Sequence, residues 1–250
     1  YCWGSDDSHA LGTGQNGTAQ SSPILIFGPA GSGAPTQTDV STDLVVSVDL
    51  GEHHNCALVT SGDVWCWGNR WSTASYNGYE SSSPAKVTSL ARDATLVQSG
   101  IYHSCAILDN GSVQCWGGNG AGQLGLQYRC VTGAEGMCGT NGNSWGDSGG
   151  WNAYIAIPQH FILPTNRTAV GLNLWDYNTC VILDDASYIC AGNSFGYNGH
   201  SYYANGTYSV AAADEFSAIS SDGKLLYLTP GTPPSLQQHT SWQIDHRNVA

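Results

Sequence analysis

The chain has 250 residues, 41% of them hydrophobic, enough to pack one large domain or two small ones. Only 10% are charged and 32 are glycine, which excludes both a long-helix protein and a charge-driven disordered chain. The balance of 7 Lys and Arg against 19 Asp and Glu gives a net charge of −12. The cations are scattered singly, so neither nucleic acid nor an anionic membrane surface is expected as partner, since both require clustered positive charge.

Tyr1-Cys2-Trp3-Gly4 opens the chain, and Leu11-Gly12 follows eight residues after Trp3. Ser-Ser-Pro23 then leads an apolar strand, and an inserted loop rich in Gly and Pro lies near 28–40. The apolar runs Ile24–Phe27 and Ile155–Ile157 are too short to cross a bilayer. No basic stretch followed by an apolar core is present, so a secretion signal is expected to be absent or already removed.

The middle of the chain is punctuated by cysteines. Cys56/Cys66, Cys105/Cys115 and Cys180/Cys190 are each ten residues apart. Each pair brackets an apolar run, a turn and a second run, the pattern of a β-hairpin. A loop ending in Gly62 or Gly111 suits a type I turn followed by a left-handed residue, which sets the paired cysteines opposite one another. A fourth copy, Ser217 to Tyr227, lacks both cysteines together, as expected of bonded partners. Zinc is the rival reading, because His54 and His103 each stand two residues before a thiol. A structural zinc site takes four ligands, whereas each copy offers three at most and the third has Asn178 in place of His. Disulfides are therefore expected, and with them an oxidising compartment. Cys130 and Cys138 are expected to staple a second inserted loop near 128–153, and Cys2 has no visible partner.

The matching text extends beyond the hairpins. Gly51-Glu-His-His54 and Gly100-Ile-Tyr-His103 precede them; Trp67-Gly68-Asn69 and Trp116-Gly117-Gly-Asn119 follow, and the second copy runs on to Gly122-Gln123-Leu124-Gly125. This repeat resembles that of the regulator of chromosome condensation family, nearly throughout at 100–125, well at 51–69 and weakly at 175–199. The resemblance implies an all-β fold, a β-propeller of about seven blades, of which four to five are visible here. It places a partial propeller at 1–228 and a linker-like tail at 229–250, with further blades or a neighbouring subunit completing the ring. The nuclear member of that family exchanges nucleotide on a small GTPase and docks on chromatin. That activity is not expected here, because a propeller by itself specifies no function.

Three constellations suggest chemistry. Gly146-Asp147-Ser148-Gly149-Gly150 reproduces the nucleophile segment of chymotrypsin-like proteases, a remote route to a serine hydrolase that also needs a His base and an orienting Asp. His54 and His103 share one repeat slot and are expected instead to pack in the hairpins and bond nearby backbone. Gly12-Thr-Gly14-Gln-Asn-Gly17 spells a dinucleotide fingerprint, but no helix pattern follows to hold a pyrophosphate. Asp184-Asp185 reads as a solvated turn.

No catalytic residue, metal or cofactor is therefore expected. Asn16, Asn110, Asn166 and Asn205 head Asn-x-Ser/Thr triplets and are candidates for N-glycosylation. The repeat tryptophans Trp3, Trp67 and Trp116 are expected between blades, whereas Trp71, Trp145, Trp151, Tyr202 and Tyr203 lie in variable loops and are candidate contact surfaces. The leading expectation is a non-enzymatic secreted or cell-surface module for adhesion or assembly, such as a segment of a glycosylated array or filament, with a protein or glycan partner or self-association. The alternative is a secreted inhibitor or ligand-binding propeller acting through one face.

Overall fold

A computed structural model describes residues 1–15, 17–28, 36–37, 43–69, 81–119, 122–126, 154–185, 187–192, 202–204, 208–210, 217–220, 224–229 and 235–243. Among these, a three-residue 3-10 turn, Asp7–His9, is the one helical element; everything else regular is strand. β1 (Cys2–Gly4) pairs with β2 (Gln20–Ile24), and β3 (Phe27–Gly28) makes a short parallel bridge to β4 (Thr36–Gln37).

Four four-stranded antiparallel sheets follow, each a meander in which chain neighbours are also sheet neighbours. The first holds β5 (Val45–Leu50), β6 (His54–Val59), β7 (Val64–Gly68) and β8 (Ser81–Lys86). The second holds β9 (Ala94–Ser99), β10 (His103–Leu108), β11 (Val113–Gly118) and β12 (Tyr154–His160). The third holds β13 (Ala169–Trp175), β14 (Asn178–Leu183), β15 (Tyr188–Gly192) and β16 (Tyr202–Ala204). The fourth holds β17 (Tyr208–Val210), β18 (Ser217–Ser220), β19 (Lys224–Thr229) and β20 (Ser235–Gln243). β9 packs on β5 and β6, and β13 packs on β9 and β10. Successive sheets thus stack face on face with their first strands side by side, as blades of a β-propeller.

Burial explains the composition of the second strands. Every residue of β6 and β10 is buried, because both faces of each blade are covered by protein, so the usual apolar–polar alternation gives way to a continuous run. One apolar cluster joins the first two blades through Cys56, Leu58, Val64, Val97, Ala106, Leu108 and Trp116. A second joins the second and third blades through Ile107, Val113, Leu124, Phe161, Leu172, Val181 and Ile189.

The cysteine hairpins hold the expected register. Cys56 pairs with Cys66, Cys105 with Cys115 and Cys180 with Cys190, each bonded across 4.1 Å between Cα atoms. Gly62 and Gly111 take the left-handed conformation at the hairpin tips, with φ of +85° and +76°.

Three expectations are corrected. Trp3, expected between blades like the buried Trp67 and Trp116, is 61% exposed. Tyr202 and Tyr203 belong to a strand, β16, opposite Cys190 and Ile189, rather than to a variable loop. The tail is not all linker: Ser235–Gln243 is the fourth strand of the last blade, with Thr229 opposite Ser235, so the Pro-Gly-Thr-Pro-Pro stretch separates two paired strands. A linker-like composition and a hairpin connection share the same turn-forming residues, and only the pairing of the flanks tells them apart. Asn16, Trp71, Cys130, Cys138, Trp145, Ser148, Trp151 and Asn205 lie outside the described residues.

Candidate functional site

Each blade has two ends. At one end the first strand turns into the second. These turns hold Gly51-Glu52-His53, Gly100-Ile101-Tyr102 and Asp176-Tyr177. The first two are closed by the Gly51 amide donating to the His54 carbonyl and the Gly100 amide donating to the His103 carbonyl, both at 2.8 Å.

The last residue of each turn is aromatic, and the three rings form one row across three blades. The centroids of His53 and Tyr102 are 5.7 Å apart at 38°, and those of Tyr102 and Tyr177 are 5.6 Å apart at 31°. All three residues are partly exposed. The third strands support the row from below: the Asn69 amide donates to the His53 carbonyl at 2.8 Å, and the Gly118 amide to the Tyr102 carbonyl at 2.7 Å. Gly68 must be glycine for this close approach. Its φ is +106°, and a Cβ there would stand 2.6 Å from the His53 carbonyl oxygen.

Under the row lie two fully buried imidazoles. His54 Nε2 is 2.7 Å from the Ser104 hydroxyl, and His103 Nε2 is 2.7 Å from the Thr179 hydroxyl. Each imidazole therefore reaches into the next blade, where the backbone at Ile101 and at Asn178 also bonds the ring, so the expected backbone contact crosses the blade interface. The hydroxyl occupies the slot just after the next blade's own His or Asn, a neighbour that only the stacking brings near. Burial above all pulls the pKa of both rings down to about 3, and nearby His103 and His53 add to the effect at His54. The neutral, enclosed rings tie blades together and are shielded from any substrate.

Charge is divided between the two ends. On the aromatic end, Glu52 has a side chain 56% exposed and stands 3.4 Å from His53 Nε2. Asp176 precedes Tyr177, and the Tyr177 phenol is pushed up, first by partial burial and then by Tyr102, Asp176 and Glu52. Lys86, Arg92 and Arg167 sit at the opposite end. They pair there with carboxylates of the hairpin tips: Lys86 with Asp63 at 2.6 Å, Arg92 with Asp109, and Arg167 with Asp184 and Asp185 at 3.4 and 3.2 Å. The Asp184-Asp185 turn is thus an ion-paired tip.

Asn110 and Asn166 are exposed at that same opposite end. The Asn110 carboxamide oxygen accepts from both the amide and the hydroxyl of Ser112, at 3.0 and 2.7 Å. Among the described residues Cys2 has no disulfide partner, and its partial burial raises the thiol pKa. The Gly12 segment forms a Leu-Gly turn against the first blade. The Ala10 carbonyl accepts from Trp67 Nε1 at 2.8 Å and from Asn55 Nδ2 at 2.5 Å, and a Cβ on Gly12 would meet the Trp67 ring.

Sequence reasoning chose loop aromatics and missed His53, Tyr102 and Tyr177. The signal was present in the repeat: the residue three places before the first cysteine of each hairpin is aromatic in all three copies.

The model of the regulator of chromosome condensation (RCC1) repeat matches residues 45–69 and 94–123, which span β5–β7 and β9–β11. No curated protein matches the sequence. The fold is similar to a chain in the crystal structure of Kap60 bound to yeast RCC1 (Prp20), at 16% identity and a TM-score of 0.62, over 88% of this chain and 48% of that one. It is also similar to human WBSCR16, at 15% identity and a TM-score of 0.60, over 84% of this chain and 53% of that one. The chain thus spans about half the length of these solved structures.

Proposed function

We propose that this chain, which carries RCC1-type repeats on a propeller frame, is a non-catalytic module that works outside the cell and holds a protein partner. The observation behind this reading is the set of three cross-strand disulfides, each buried. Such bonds persist where the surroundings are oxidising. They fix the scaffold and leave its end turns to make contacts. A protein partner is in keeping with the yeast chain of similar fold, whose structure has Kap60 bound. A non-catalytic role is supported by His54 and His103, whose imidazoles are engaged between blades. The aromatic row favours contact through one face, as in the one-face ligand-binding reading, over a periodic array.

Thiol trapping tests the location. Native material is alkylated without reductant, separated into external and cytosolic fractions, and mapped by mass spectrometry. Linked Cys56–Cys66, Cys105–Cys115 and Cys180–Cys190 peptides in the external fraction are the expected result. Alkylated free cysteines at these positions in a cytosolic fraction would overturn the placement.

A further inference from the structure

The aromatic end of the blades has a chemistry of its own, and its components come from three separate blades. His53, Tyr102 and Tyr177 supply three ring systems in line. Glu52 and Asp176 supply carboxylates beside them. In the first three blades, Lys86, Arg92 and Arg167 stand at the far end, already paired with aspartates. Aromatic faces attract cations through the ring quadrupole, Arg more often than Lys, and a nearby carboxylate adds Coulombic attraction. An acidic chain of net charge −12 adds long-range steering for a basic partner.

We infer that the row His53–Tyr102–Tyr177, flanked by Glu52 and Asp176, is a docking surface for an arginine-bearing segment of a protein partner. A guanidinium stacks on the phenol rings while one carboxylate accepts its N–H groups. The inference rests on the one-face binding reading above and names the chemistry of its partner. The row is held for this purpose from two sides: the third-strand amides grip the turn carbonyls, and the buried imidazoles below fix one blade against the next. The candidate glycan sites Asn110 and Asn166 lie at the other end, so glycans there would leave the row uncovered.

The test uses the whole chain, isotopically labelled, with an eight-residue arginine peptide as probe, read by the ring resonances of Tyr102 and Tyr177 and by fluorescence anisotropy. The peptide is expected to shift both rings. Tyr102→Ser should weaken it about tenfold, and Glu52→Gln and Asp176→Asn about three- to fivefold each, in the range of a cation–π contact and an exposed charge pair. Arg92→Ser, at the opposite end, should leave binding unchanged. Equal affinity for the wild-type and Tyr102→Ser chains, or shifts spread over the surface, would mean attraction by net charge alone and would sink the proposal. So would a neutral oligosaccharide that moves Tyr102 and Tyr177 when the arginine peptide does not. Either failure leaves the disulfide mapping, and the placement it tests, untouched.

Discussion

Asp6 and Asn119 do the same work in two copies of the repeat. The Asp6 carboxylate accepts the Leu11 amide at 2.9 Å, and the Asn119 carboxamide oxygen accepts the Leu124 amide at 3.0 Å. Both residues are buried, and each leaves one polar atom without a hydrogen-bond partner, a carboxylate oxygen at Asp6 and the amide nitrogen at Asn119. Burying a charge without a full set of partners is costly, whereas a neutral amide keeps the one useful bond. Asp6→Asn is therefore expected to stabilise the protein by about 1 kcal/mol, read as a higher urea midpoint. The reciprocal Asn119→Asp should lower it. The residue scale thus assigns the Asn of Trp-Gly-x-Asn a definite task, capping the turn that ends in Leu-Gly.

The hairpin is the unit at the next scale. A bond across Cys105 and Cys115 closes a short loop, and on the chain-entropy model replacing both residues with alanine should cost about 3 kcal/mol. Denaturant titration at constant protein concentration measures this. The turns above the hairpins depend on backbone clearance. Gly68→Ala sets a methyl against the His53 carbonyl at a positive φ, a strain expected to cost about 2 kcal/mol or more. That variant should also displace the His53 ring, so its aromatic resonance should shift without any ligand present. The outer strands β16 and β20 teach the complementary point: Tyr202-Tyr203 and the Pro-rich approach to Ser235 carry loop-like composition, and their pairing with β15 and β19 makes them strands.

At the scale of the molecule, the first three blades are joined, among the described residues, by apolar packing and by two imidazole–hydroxyl links. Both rings are neutral in the fold, with pKa values near 3 against 6.5 for an ordinary histidine. The unfolded chain takes up protons below 6.5 and the folded chain does not, so stability is full above that value and falls as the pH drops toward 3. At about pH 5 each ring should cost about 2 kcal/mol. Urea midpoints measured from neutral to acid pH should fall accordingly. His103→Asn, which copies the third blade's Asn178, should be less stable at neutral pH and show a shallower acid dependence. A pH profile unchanged by that substitution would contradict the role given to the buried ring.

Spacing and substitution within one chain were enough to determine the cysteine hairpins, their registers and the pairs Cys56/Cys66, Cys105/Cys115 and Cys180/Cys190, and resemblance to a known repeat implied the propeller. Each of these depends on contacts within about a dozen neighbouring residues, or on a pattern repeated often enough to be recognised. The tertiary structure alone decided where His54 and His103 find their partners, because Ser104 and Thr179 are 50 and 76 residues away in the chain. It also decided that His53, Tyr102 and Tyr177 form one surface. Their ring-to-ring distances are set by how blades pack against each other, a non-local property that no single repeat encodes.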